Sequence, residues 1–216
     1  MIKRNMVVLL IGIGLISHLN AQTNTAGKEA VFASPSFHYY GYDFTRLKIV
    51  DDKRKGQSFN KFFTSLNTLL LKKFNQKKLE IMFRRKKGAI PFNPFPTQEG
   101  MFKIDNDSVV AIKPPARLSS EILESLIAAY KLDETNGIGC VTVFECFDSY
   151  AMTVTADLLF FDISTRKISY SKEIVSRDKN SYNSMGDWKA ASIKAMERLL
   201  KLTVKDFELY AKEHKK

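Results

Sequence analysis

Three apolar stretches with strand periodicity follow one another near the C-terminal end of the chain, and they constrain its fold most. They cover residues 138–147, 152–163 and 167–175. Short turns separate them, at Asp148-Ser149 and at Ser164–Arg166. Because short turns join neighbouring antiparallel strands, the pattern predicts an antiparallel three-strand meander.

Three further stretches carry apolar residues at the i, i+3, i+4 and i+7 spacing of amphipathic helices. The first begins near Ser58 and reaches Phe74, the second is capped by Ser119 or Ser120, and the third covers residues 187–213. The apolar faces of these helices need a sheet to cover them. We therefore predict a single α/β domain at residues 30–213, with a mixed sheet and about three packed helices.

The remaining segments give weaker patterns. We interpret residues 30–42 as a first strand interrupted near Pro35, and we predict short strands at 48–51 and 108–112. Residues 78–87 have an apolar centre that is compatible with a strand. Three prolines between residues 91 and 96 exclude regular structure there, so residues 88–107 are predicted to form a long loop.

The first 21 residues have the three-part layout of a secretory signal peptide. Basic residues Lys3 and Arg4 precede an apolar run at 6–16, which is too short to cross a bilayer, and we place cleavage after Ala21. Residues 22–29 would then form a polar leader. The sequence predicts a protein exported across the inner membrane, periplasmic or extracellular, with no transmembrane span in the mature chain.

Two cysteines, Cys140 and Cys146, raise the question of a disulfide in an oxidising compartment. On one strand, six residues at about 3.3 Å each separate them by roughly 20 Å, whereas the Cα atoms of a disulfide lie within about 7 Å. We therefore interpret both as small buried side chains. The same spacing excludes a zinc site formed by His38 with these cysteines.

The histidine inventory limits the possible catalytic chemistry. Only His38 lies outside the signal segment and the lysine-rich C-terminal end, so a histidine-based triad would have to use it. We interpret it as a packed strand residue. Gly137-Ile138-Gly139 precedes a strand instead of following one, which indicates a turn and not a phosphate loop. Asp157 and Asp162 would lie on opposite strand faces. The sequence therefore predicts no catalytic residue, no cofactor and no metal.

The formal net charge of +11, in a chain that is 44% hydrophobic, is compatible with a folded domain. Removal of residues 1–21 leaves +9, and +7 of this charge falls within residues 72–87. This basic run contains Lys72, Lys73, Lys77, Lys78, Arg84, Arg85, Lys86 and Lys87. It would attract lipid phosphates, an acidic polysaccharide or an acidic protein, or it is a solvated surface that keeps the chain soluble. Nucleic acid is not expected as a partner of an exported protein.

Two phenylalanines, Phe92 and Phe95, lie in the proline-rich segment beside the basic run. Either their rings pack onto the domain, or they form exposed anchors for a partner. In the second case the basic run and the two rings together would form a docking surface.

The part of the chain at residues 108–210 resembles small α/β domains of secreted bacterial envelope proteins. A helix leads through Asp133–Gly137 into the meander, and a long helix follows Gly186-Asp187-Trp188. This order is similar to the amino-terminal domain of the translocation protein TolB and to the periplasmic domain of the curli secretion channel CsgG. The turn Asp162–Arg166 lacks the glycine of those domains. The resemblance implies an envelope location and no catalytic residues.

Two hypotheses follow from these observations. The first is a non-enzymatic envelope protein that binds or scaffolds other components through the basic run and the adjacent aromatic residues. The second is a hydrolase that uses carboxylates, which would need two such groups about 5 to 10 Å apart in a cleft.

Overall fold

The computed structural model describes residues 25–50, 59–94, 106–177 and 184–214. The predicted signal peptide lies outside these ranges. In chain order the elements are α1 (Thr25–Ala33), β1 (His38–Asp43), β2 (Lys48–Val50), α2 (Asn60–Lys73), α3 (Gln76–Met82), α4 (Asn106–Val109), β3 (Val110–Ala111), α5 (Ser120–Ala128), β4 (Ile138–Asp148), β5 (Thr153–Asp162), β6 (Ile168–Arg177) and α6 (Met185–Glu213).

The predicted meander is confirmed, because β4 pairs antiparallel with β5, and β5 pairs antiparallel with β6. The other edge of β4 has two parallel partners. β1 pairs with its first half, where His38 lies opposite Gly139, and β2 pairs with its second half, where Lys48 lies opposite Cys146. β3 pairs parallel with β2 and completes the order β3-β2-β4-β5-β6. The sheet is therefore mixed, as the sequence predicts.

Helices cover both faces of this sheet. On one face α2 and α6 pack over the aromatic residues of β4, and the ring centroids of Phe147 and Trp188 lie 5.5 Å apart. On the other face α5 packs its buried residues Leu123 and Ile127 against Val141 of β4. The predicted apolar faces of the three helices thus all meet the sheet, and α6 begins with a capping box between Ser184 and Asp187.

A β-bulge interrupts the pairing of β4 with β5. Phe144 lies opposite Ala156 and Cys146 lies opposite Thr155, so Glu145 is the extra residue. The extra residue shifts the alternation of side chains along β4 by one position. As a result Phe144 and Phe147, which are three residues apart, both enter the core under α2 and α6, which we call the main core. Glu145 then joins the α5 side of the sheet, next to β5.

The predicted first strand is wrong at its beginning. Residues 30–33 belong to α1, and the strand starts only at His38. Alanine-rich sequence favours a helix here, and the helix ends at Ala33, because the residue before a proline disfavours helical geometry and Ser34 precedes Pro35. The aromatic residues that suggested a strand lie on both sides of this break.

Two further strand predictions need correction. Residues 76–82 form α3 and not a strand, because Asn75 Oδ1 accepts a hydrogen bond from the backbone N–H of Lys78 at 3.0 Å and caps a helix. In the segment 108–112 only Val110 and Ala111 pair with β2, and the residues before them form α4. Of the predicted loop at 88–107, residues 88–94 are irregular apart from a single bridge between Phe92 and Tyr39, whereas residues 106–107 begin α4, so the loop prediction is wrong at its end.

The cap of α5 gives a first testable prediction. Ser119 Oγ accepts a hydrogen bond from the backbone N–H of Ile122 at 3.4 Å. Ser119→Ala is expected to lower the free energy of unfolding, measured with urea, by about 1 kcal/mol. Ser125 lies inside the same helix, and Ser125→Ala should be neutral or slightly stabilising because alanine has the higher helix propensity. Equal effects of the two substitutions would contradict the capping role.

Candidate anion-binding surface

The basic run folds as the end of α2, the helix α3 and the segment that follows it. Lys72 and Lys73 lie in the last turn of α2, near the negative end of the helix dipole. Lys77 and Lys78 lie in α3, and the other four basic residues come after it. The end of α2, the helix α3 and the segment after α3 therefore share the basic run.

Ion pairs with α6 involve two of the eight cations. Lys73 Nζ lies 3.7 Å from Glu197 Oε1, and Arg84 Nη2 lies 2.7 Å from Glu208 Oε1. These contacts attach the segment to α6. Five exposed lysines make no ion pair with the described residues, namely Lys72, Lys77, Lys78, Lys86 and Lys87.

Buried residues hold α3 in place and leave its basic side exposed. Leu79 and Phe83 enter the main core. Glu80 is buried and accepts hydrogen bonds from Gln76 Nε2 at 2.9 Å and from the backbone N–H of Gly88 at 2.7 Å. The one acidic residue of the run is therefore used to fix the segment after α3, and it does not pair with a lysine.

A groove of about 750 Å³, which we call the α3 groove, runs along this surface. Its cationic lining residues are Lys77, Arg85 and Lys87. Ile81 also lines it and is 63% exposed. The surface thus combines unpaired positive charge with an exposed apolar side chain.

A second depression, which we call the Arg85 pocket, lies beyond the C-terminal end of α3 and has a volume of about 380 Å³. α1, the segment after α3 and the last turns of α6 form its walls. Arg85 lines both this pocket and the α3 groove.

The two phenylalanines predicted as possible anchors have different outcomes. Phe92 packs against the main core, and its ring centroid lies 5.6 Å from that of Tyr39 at an interplanar angle of 22°. It is half-buried, as in the alternative in which the ring packs onto the domain. Phe95 lies outside the described residues, so its part of the prediction remains open.

A charged cluster that the sequence did not reveal lies on the α5 side of the sheet. Arg117 Nε lies 2.6 Å from Glu145 Oε2, and its Nη2 lies 2.8 Å from Asp157 Oδ2. It also pairs with Glu173. The three carboxylates come from β4, β5 and β6. The side chains of Glu145 and Asp157 are only 4% and 6% exposed, against 39% for Arg117.

The two buried carboxyl groups share one environment. Burial, together with the hydrogen bond and negative charge of Glu145, raises the pKa of Asp157 to about 8, although Arg117 opposes this shift. Glu145 Oε1 is buried and accepts no hydrogen bond from the described residues. The raised pKa favours the protonated form of Asp157, and in that form its carboxyl group can donate a hydrogen bond to Glu145.

His38 lies beside another carboxylate at the start of β1. Its Nδ1 is 3.3 Å from Glu134 Oε1 but lacks the geometry of a hydrogen bond. Glu134 is instead held by Tyr40 Oη, which donates to its Oε2 at 2.7 Å, and by Asn93. His38 is therefore a strand residue packed beside a carboxylate, in agreement with its interpretation from the sequence.

Both cysteines are free and buried on β4. Burial raises the pKa of both thiols, to about 12 for Cys146. Such thiols carry little thiolate at neutral pH and are poor nucleophiles.

Comparison of the chain with protein-family models, with curated proteins and with solved structures finds no match. The resemblance to TolB and CsgG domains stays a prediction. The described residues contain no group of three or more His, Cys, Asp or Glu side chains placed to hold a metal ion. Within the same ranges, no helix is long and apolar enough to span a membrane.

Proposed function

We propose that this protein is an exported, non-enzymatic binding protein that docks on the anionic lipid surface of the cell envelope through the α3 groove. One observation carries the proposal: the exposed residue Ile81 lines the same groove as Lys77 and Lys87, two exposed lysines that make no ion pair with the described residues. The predicted signal peptide supplies the route to such a surface.

The physical basis is the field of the unpaired lysines. Each basic residue near an anionic membrane surface contributes about 1 kcal/mol, and the effect falls off within a Debye length of about 10 Å at 0.1 M salt. Lys77, Lys78, Lys86 and Lys87 lie on and just after α3, so they can approach one surface together. Binding should therefore be strong at low salt and weak at high salt.

Ile81 favours a lipid surface over other anionic partners. An apolar side chain among lysines can enter the boundary between headgroups and acyl chains, where amphipathic surfaces gain affinity from buried apolar area. A strongly hydrated acidic polysaccharide offers no such region.

The proposal predicts a large and salt-dependent loss of membrane binding when the lysines are removed. The chain without residues 1–21 should co-sediment with phosphatidylglycerol vesicles at 50 mM salt and not with phosphatidylcholine vesicles. Replacing Lys77, Lys78, Lys86 and Lys87 by serine should weaken binding at least about 100-fold. Ile81→Ser should weaken vesicle binding by about tenfold.

A matched variant controls for the overall loss of charge. It removes four exposed cations that lie outside the α3 groove, by serine substitution of Lys113, Lys131, Arg177 and Lys205. This variant should keep most of its affinity. Equal losses in the two fourfold variants would show that only net charge matters. Unchanged binding after replacement of Lys77, Lys78, Lys86 and Lys87 would contradict the proposed docking site. Binding to an acidic polysaccharide that is unaffected by Ile81→Ser would identify a different class of partner.

The hydrolase hypothesis finds less support in the carboxylate geometry. Glycoside hydrolases separate their two carboxyl groups by about 5 to 9.5 Å to accommodate substrate and water. Glu145 and Asp157 instead lie within hydrogen-bonding distance of each other, and Arg117 binds both. Neither of them lines the α3 groove or the Arg85 pocket. This arrangement is typical of a structural ion cluster.

A further inference from the structure

We propose that the Arg85 pocket binds a small amphipathic carboxylate, with the carboxylate on Arg85 and its apolar body on the aromatic floor. The pocket shares Arg85 with the α3 groove, but the proposed binding of a carboxylate does not depend on lipid docking. Three features of the pocket carry the inference.

The first feature is a half-buried cation without a counter-ion. Arg85 makes no ion pair with the described residues, and its Nε is buried without a hydrogen-bond acceptor. Its guanidinium carbon lies 5.6 Å from the centroid of the Phe207 ring, a contact that does not neutralise the charge. Burial lowers the pKa of Arg85, which reflects the cost of this uncompensated charge. Buried charged groups in proteins are normally paired, so an anionic ligand at Arg85 would compensate this half-buried charge.

The second feature is the balance of charge around the pocket. Among the described residues that line it, Glu208 alone is acidic, and Arg84 Nη2 lies 2.7 Å from its Oε1. Lys212 lies on the rim, so the lining residues have a net charge of +2. An anion that enters the pocket therefore meets Arg85 without competition from a free carboxylate of the lining.

The third feature is an aromatic floor. The ring centroid of Phe207 lies 4.4 Å from that of Phe32 and 5.4 Å from that of Phe83, and all three residues line the pocket together with Val204. The volume of about 380 Å³ falls in the range of small-molecule sites, about 300 to 1,000 Å³. Such a floor selects an anion with an apolar body over a small hydrated ion.

The chemistry of the cation specifies the head group. The planar guanidinium offers parallel N–H donors that match the two oxygens of a carboxylate. Octanoate is a suitable probe because it combines this head with a flexible alkyl chain. Acetate has the head alone, and 1-octanol has the alkyl chain alone.

Isothermal titration of the chain without residues 1–21 tests the site. Octanoate should bind at one site, whereas 1-octanol and acetate should each bind at least tenfold more weakly. Arg85→Gln should weaken octanoate binding by at least tenfold. Ala211→Trp, which fills the pocket from an exposed position on α6, should abolish it.

The matched control is Arg198→Gln, which removes an exposed arginine of α6 that does not line the pocket. It should leave octanoate binding unchanged. The proposal is overturned if octanoate binds Arg85→Gln as tightly as the unsubstituted chain, or if 1-octanol binds as tightly as octanoate. Ala211→Trp should still bind phosphatidylglycerol vesicles, so a failure of the carboxylate site can be distinguished from a failure of lipid docking.

Discussion

Replacement of Arg117 by methionine is expected to lower the free energy of unfolding by about 3 kcal/mol at pH 7. Removing one partner of a buried ion pair costs about 3 to 5 kcal/mol, and we take the lower limit because Arg117 is 39% exposed. The substitution leaves Glu145 and Asp157 buried without their cation. Urea unfolding followed by circular dichroism measures the loss.

The loss should depend on pH. The pKa of Asp157 is raised to about 8 in the folded protein, so its protonated form favours folding. This contribution is complete below the ordinary pKa of an aspartate and disappears as the pH rises through about 8. Arg117 attracts the ionised form, so its removal should cost more at pH 9 than at pH 5. A difference of the opposite sign would contradict the shared proton.

Two further variants separate this cluster from ordinary surface charge. Lys167 Nζ lies 2.7 Å from Glu124 Oε2 but is 71% exposed, so Lys167→Met should cost less than 1 kcal/mol. Combining Arg117→Met with Glu145→Gln and Asp157→Asn removes the uncompensated charges, and it should recover part of the lost stability. If Arg117→Met costs no more than Lys167→Met, the cluster does not stabilise the fold.

The spacing of apolar residues correctly predicted the elements in which that spacing repeats over many residues. The meander at 138–175 and the stripe of α6 each repeat one period many times, and both are confirmed. The errors fall in short segments with mixed signals. Residues 30–33 belong to a helix that ends before Pro35, and residues 76–82 form a helix that Asn75 caps. The spacing of apolar residues reveals neither effect.

The candidate sites depended on contacts between distant residues. Clustered charge identified residues 72–87 from the sequence, but not the ion pairs of Lys73 and Arg84 with α6, which lie more than 120 residues away. The Arg117 cluster was missed because it needs the register of three strands and a bulge at Glu145. Only the pairing of Asp157 with Glu173 could have been estimated, by counting outwards from the turn at 164–166.

Gly139→Ala is expected to lower the free energy of unfolding by about 2 to 3 kcal/mol. Gly139 lies opposite Phe161 in the β4–β5 pairing, and the ring of Phe161 lies across it. A Cβ atom at position 139 would stand 2.5 Å from Cε2 of that ring and closer still to Cζ. Phe161 is fully buried and stacks on Tyr40, so the ring cannot move without disturbing the core under α5.

A second glycine separates steric overlap from backbone strain. Gly88 has a φ of +84° and open space around its Cβ position, so Gly88→Ala should cost only about 1 kcal/mol, through strain alone. Combining Gly139→Ala with Phe161→Leu should cost less than the sum of the two single losses, because the smaller side chain removes the overlap. Additive losses would mean that the glycine at position 139 is needed for the backbone of β4 and not for its contact with the Phe161 ring. A non-additive result would instead explain why a glycine lies inside the central strand of this sheet.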